Sequence, residues 1–263
     1  MRLFYVLILS LLFIAPAMAQ QSQSKPKPNK VMWAPKFAGS CQGLELSNRE
    51  MAFWDMKKAQ CANAVLANAN LHGVEAEETN FVGIVAPGAK FVSARLAKAQ
   101  FEGANLSGAD LRSAEANGAD FTEVNLKSAV LQRAKLIGAI LHNADATGAH
   151  GQNADFSGSN LTGIAFNGAQ LQSAIFDGAI LVDARFPGAH LDQASFRGAR
   201  LVGADFTGVL SFTSAQFEGA CISQDTKLPD GLNLPICDDL IEDAMEPLLE
   251  AIAEKLEDVI EDE

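Results

Sequence analysis

Four histidines and four cysteines are the residues of this chain best suited to chemistry. His142, Asp145 and His150 put two imidazoles and a carboxylate in one short segment, residue types that hold a cation or a small ligand in a notch. A thiol beside an imidazole is a candidate nucleophile, which raises the question of what Cys41, Cys61, Cys221 and Cys237 do. Phosphate-cradling glycine loops and paired-cysteine zinc spacings do not occur in the sequence. Whether any of these groups meet depends on the elements that carry them.

Those elements are set by a repeat of five. Read in steps of five from Leu71 to Phe206, the marked position is Leu or Phe in 23 of 28 cases, with Ala76, Ala86, Ala116, Ala146 and Gly151 as the exceptions. Two residues earlier stands Ala in 22 of 28, and two residues later Gly in 16 of 28. No residue is inserted or deleted over that span. A fixed short period is the signature of a solenoid. In extended backbone, residues two apart share a face. The small residue and the Leu or Phe therefore point inward together, and the Asn, Asp, Lys or Arg between them faces water. The glycine two positions on supplies a corner with the φ freedom that other residues lack. A helix fails, because a step of five at 3.6 residues per turn spirals the apolar positions around every face. Regular glycines would also cost a helix about 1 kcal/mol each.

From Phe156 to Phe206 the inward position alternates strictly between Phe and Leu, which fits an even number of sides. Two sides leave no interior, so four is the smallest workable number. Twenty residues then make one turn, with rungs about 4.8 Å apart. This predicts one stack of Phe156, Phe176 and Phe196, an opposite one of Phe166, Phe186 and Phe206, and Phe81, Phe101 and Phe121 on a third side. After Phe206 the frame slips by one and resumes at Phe212, Phe217 and Ile222; upstream it runs back through Leu66 to Cys61.

Units such as Ala104-Asn105-Leu106-Ser107-Gly108, Ala154-Asp155-Phe156-Ser157-Gly158 and Ala204-Asp205-Phe206-Thr207-Gly208 resemble the A(D/N)LXX motif of the pentapeptide-repeat family. The resemblance implies a right-handed quadrilateral β-helix, of about eight turns here. It also implies a second functional reading, since some cytosolic members of the family act as DNA mimics on gyrase.

Residues 1–19 read as a signal peptide: Arg2, an apolar stretch over 3–15, and Ala17-Met18-Ala19 before Gln20. The apolar stretch is short for a membrane span, so export with cleavage after Ala19 to the periplasm or beyond is expected, without stable membrane insertion. Residues 20–40 are a polar linker. In an exported chain four cysteines suggest two disulfides with three possible connectivities. Cys41 and Cys61 bracket the entry to the repeat and Cys221 and Cys237 its exit, so each is expected to pair with its neighbour and staple an open end; free thiols at inward positions would suit Cys61 alone. The sequence predicts an N-terminal cap over 41–60, where Ser47 and Glu50 have capping-box spacing for a short helix through Lys58. The β-helix proper covers 61–222 and a cap loop 223–237, with a turn at Pro229-Asp230-Gly231. Residues 238–263 hold twelve acids and Lys255 alone as base, nearly the whole net charge of −12. Ile241, Met245, Leu248, Leu249, Ile252, Leu256 and Val259 form one stripe of an α-helix there. That stripe has three destinations: the column itself, a second copy in a homodimer, or a partner.

With twenty residues per turn, His150 and His190 fall on one side but two rungs apart, about 10 Å, too far for one metal. His72 and His142 fall on different sides. Around Ala146 and Gly151 the interior is thin, and His142 to His150 is read as a thin rung rather than a ligand notch. No catalytic, cofactor-binding or metal residue is assigned, and the chain is expected to be non-enzymatic. A glycan-cleaving β-helix would need paired carboxylates in a cleft, and no insertion builds one. Outward charges Glu75, Arg95, Glu115, Lys135 and Asp155 alternate in sign along one side, a ladder of modest strength. No basic patch suggests nucleic acid. Ile137, Ile140, Ile175, Ile180, Val182 and Val202 are predicted outward on two neighbouring sides, a surface for a protein partner.

Overall fold

The computed structural model describes residues 39–209 and 212–237. The expected signal peptide, most of the linker and the acidic helix over 238–263 lie outside the described residues. Parallel bridges join each outward residue to the one twenty positions on, without a break from Ser40↔Gln60 to Arg185↔Asp205. Four five-residue steps therefore close each coil, and the column is a four-sided β-helix. Its sides are too short to count as strands. Asp110 is typical: its N–H donates to Ala89 O at 2.9 Å and its carbonyl accepts from Phe91 N–H at 2.7 Å, so one residue per side carries both rung bonds. Among the described residues the one helical element is a 3₁₀ turn over Ser214–Phe217.

Each corner is a reverse turn closed by a bond such as Ala94 N–H to Phe91 O at 3.0 Å. Its third residue has positive φ, the type II signature. Glycine meets that demand at Gly103 (φ +64) and Gly158 (φ +61), yet seventeen other residues, all at the same step of the repeat, adopt it too. Part of what holds them is the outward residue. Asp120 Oδ1 accepts the N–H of Thr122 at 2.9 Å, and Asn105, Asp145 and Asn160 do the same two residues on. The Asn or Asp is thus a corner cap as well as a solvated side chain.

The inward positions pack as the alternation predicts. Phe156, Phe176 and Phe196 stack at 5.0 and 4.8 Å and Phe166, Phe186 and Phe206 at 5.4 and 4.8 Å. Phe81, Phe101 and Phe121 stack at 5.0 and 4.9 Å. The two lower stacks meet edge-on across the interior, for example Phe176 against Phe186 at 5.9 Å and 87°. Thr79 and Ser159, buried where alanine is usual, bond their hydroxyls to Met56 O and Phe156 O, each at 2.6 Å.

The upper end corrects the helix expected from Ser47 to Lys58. That segment is a coil of the column: Leu46, Asn48, Met51 and Met56 donate to Val65, Ala67, Asn70 and Glu75 of the next coil. Cys41, Met51 and Met56 are buried at inward positions. A helix of two turns is marginal alone, whereas the coil below offers unpaired backbone and an open apolar interior. The linker likewise ends before Gly39, whose carbonyl already accepts from Gln60. Cys41 and Cys61 are joined across adjacent coils, and Cys221 to Cys237 at the exit, as their placement suggests.

At the exit the expected one-residue slip is followed by a second, and both are absorbed without loss of the core: Phe217 stacks on Phe196 at 4.9 Å, Phe212 is partly buried, and the rungs continue as Arg200↔Cys221 and Asp205↔Lys227, one and then two residues longer than the regular coil. Gln216 Nε2 caps Leu191 O and Ala194 O at 3.0 and 2.7 Å. Gly231 (φ +84) makes the turn expected after Pro229. Asp205 ties this end together. Burial works to raise its pKa, but bonds from Thr207 and Lys227 outweigh that and hold it at about 2. A carboxyl depressed below its ordinary value of about 3.9 stabilises the fold above that value and loses the contribution as pH falls toward the folded pKa. Lowering the pH from about 4 to about 2 should therefore reduce the protection of the Lys227 amide, its exchange rate divided into that of a free peptide at the same pH; this N–H is bonded to Ala204 O. In Asp205→Asn that pH-dependent loss of protection should be absent.

Candidate interaction surfaces

The residues singled out for chemistry do not converge. His150 and His190 share a side with Gln170 between them, two coils apart as the period requires. His142 Nε2 lies 3.0 Å from its neighbour Asn143. Asp145 is committed elsewhere. Burial pushes its pKa up, and hydrogen bonds from Thr147 and Lys127 bring it below the ordinary range; Lys127 Nζ stands 3.1 Å away. The thin rung is no notch, because a methyl placed on Gly151 would come within 2.8 Å of Leu171 Cδ2. Among the described residues no group of His, Cys, Asp and Glu could hold a metal ion.

The charge ladder forms in part. Glu75 and Arg95 approach to 3.8 Å and Glu115 and Lys135 to 3.1 Å, while Arg95 turns to Glu77 at 2.9 Å. These side chains are mostly exposed, so each pair contributes about 0–1 kcal/mol. Cations and anions alternate along the column rather than gather into a single-sign face.

The predicted apolar surface is outward and exposed at four positions. Ile140 and Ile180 stand on one side, separated by Asn160. Ile175 is on the adjoining side, and Ile137 occupies the corner between the two. The isoleucines therefore form two pairs, Ile137 with Ile140 and Ile175 with Ile180, two coils apart. Val182 and Val202 sit half-buried at the next corner. Two features escaped the sequence reading. Among the described residues Phe53 is the most exposed large apolar one, at 68%. A shallow groove of about 290 Å³ runs along one corner between Arg112, Ser113, Gln132, Arg133, Gln152 and Asn153.

The family model for pentapeptide repeats matches in eight copies, over residues 89–127, 117–150, 125–163, 152–186 and 188–224, which together span just over half of the chain. Among solved structures, the plasmid-mediated fluoroquinolone resistance protein QnrB1 is similar at 20% identity with a TM-score of 0.51, over 71% of this chain and 94% of that one. HetL, a pentapeptide repeat protein involved in heterocyst differentiation regulation from the cyanobacterium Nostoc sp. strain PCC 7120, is similar at 26% identity with a TM-score of 0.35, over 74% and 91%. No curated protein sequence matches the chain. The repeat, the coil that it builds and the family match agree: the chain belongs to the pentapeptide repeat family.

Proposed function

We propose that this is a non-enzymatic, exported pentapeptide repeat protein that serves as a rigid scaffold or protein-binding module in the cell envelope. The observation that carries the reading is the pair of isoleucine clusters on two adjoining sides of a column whose other outward positions are mostly polar. Exposed aliphatic residues gathered on one part of a polar surface mark a place that something covers. Support for export comes from the Ala17-Met18-Ala19 boundary and from cysteines paired at both ends, a bond that persists in oxidising compartments. The mixed charge of the column favours a protein partner over mimicry of DNA.

A photo-cross-linking residue placed at Ile140, in cells fractionated into cytosol and envelope, tests both halves. The expected result is a processed protein in the envelope fraction that forms a hetero-adduct from position 140. The same probe at Lys90, on another side, should give no adduct, and Ile180→Lys should weaken the adduct from 140. A product of twice the chain mass would assign the face to a second copy, joined directly or through 238–263. Recovery in the cytosol with residues 1–19 retained would overturn export and favour the gyrase-directed reading.

A further inference from the structure

The four corners of the column are not built alike. Over six successive coils the left-handed corner position that follows the Lys90–His190 side is held by Ser93, Ser113, Arg133, Asn153, Ser173 and Gln193, at φ between +54 and +60. In the same coils glycine takes five of six places at the corner of Gly118 and Gly138, five of six at that of Gly108 and Gly148, and three of six at that of Gly103 and Gly163. Space does not explain the difference, since a Cβ at Gly108, Gly138, Gly158 or Gly178 would meet nothing within 4 Å. Left-handed backbone is costly for any residue with a Cβ. One corner thus keeps polar side chains in all six coils, where two of the others are glycine in five of six and the last in half.

Those side chains and their neighbours make a straight polar edge, with the groove at its centre. Gln132 Nε2 donates to Gln152 Oε1 at 3.1 Å, and Gln152 Nε2 to Gln170 Oε1 at 2.8 Å. One coil on, Gln172 Oε1 is buried without a partner. Arg112 is held by Asp110 at 2.6 Å, whereas Arg133 has no ion pair among the described residues. At the head of the same corner, four coils above Arg133, stands Phe53 at φ +60 with its ring over Gly73 and edge-on to His72 at 5.0 Å. A bulky residue at that φ is a rare conformation.

We propose that this edge binds an extended acidic glycan, with a carboxylate on Arg133 and a sugar ring against Phe53. Amides offer the donor and acceptor pairs that sugar hydroxyls need, and a guanidinium fork matches a carboxylate. An added peptide strand would need free backbone, but Ser113, Arg133, Asn153 and Ser173 all donate their N–H groups to the next coil. Nucleic acid would need several uncompensated cations, and the groove presents Arg133 alone. The inference is independent of the isoleucine faces and of export.

Titration of the full-length protein by calorimetry with a galacturonate oligomer, a neutral cello-oligosaccharide of equal length and single-stranded DNA tests the assignment. The galacturonate oligomer should bind best. Arg133→Gly should weaken that binding roughly tenfold, the scale of one charge-assisted contact, while leaving the melting temperature equal or higher because glycine suits the corner. Phe53→Gly should weaken it as well, and Ser128→Gly, on another corner, should leave it unchanged. No binding of the galacturonate oligomer, equal binding of the neutral oligomer, tighter binding of DNA, or unaltered affinity in Arg133→Gly would each overturn the proposal.

Discussion

Phe176→Ala should lower the free energy of unfolding by about 3–5 kcal/mol, the range for deleting a buried aromatic ring, measured by urea denaturation. Phe176 lies between Phe156 and Phe196 at 5.0 and 4.8 Å and meets Phe166 and Phe186 edge-on, each at 5.9 Å. Its neighbours are fixed by rung bonds above and below, so they have little freedom to close over the void. The loss should therefore sit at the high end of the range. In a solenoid each repeat touches only its neighbours. The coils around Phe81, Phe101 and Phe121 have a stack of their own, so the transition should also broaden and its denaturant slope should fall. Ile175→Ser, one residue away but outward, should cost well under half as much. Similar losses for the two variants would contradict an inward Phe176.

Replacing Cys221 and Cys237 together by serine should cost about 3 kcal/mol, from the entropy that a loop of this length gains when the unfolded chain is released. The two are 16 residues apart, and Cys41 and Cys61 are 20 apart, so the upper pair should give a similar figure. The two pairs should differ in where the damage falls. Without the lower bond, exchange should rise first at Ile222 and Lys227, whose amides and carbonyls carry the last rungs. Without the upper bond it should rise at Leu46, Asn48 and Met51, and the middle coils should stay protected. Uniform loss of protection from either variant would mean that the column unfolds as one unit.

The interior was legible because it is periodic: Leu or Phe every five positions marks the inward face, and their alternation requires an even number of sides, of which four is the smallest that leaves an interior. The end coil over 41–60 was not, since Leu46, Met51 and Met56 keep the period while Ser47 and Glu50 mimic a helix start, and local spacing cannot weigh the backbone that the neighbouring coil offers. The corner role of Asn105 or Asp120 was hidden by its outward position, which is equally what water would select. Surfaces read worst. The isoleucines could be placed, because direction follows from phase, but the polar corner from Ser93 to Gln193 emerges only when the left-handed positions are sorted by corner, twenty residues apart, and their residue types compared. The stripe from Ile241 to Val259 lies outside the described residues.

The twenty-residue rung has a consequence for how such a chain can change length. A duplication of twenty residues adds a storey of about 4.8 Å and leaves every façade aligned. A gain of five preserves the buried packing but turns everything downstream by a quarter, which would carry Ile175 and Ile180 away from Ile137 and Ile140. A gain of one throws later inward residues into water unless a corner takes up the extra residue. Among the described residues such gains fall after Phe206, where only the last rungs, Arg200↔Cys221 and Asp205↔Lys227, remain to be turned.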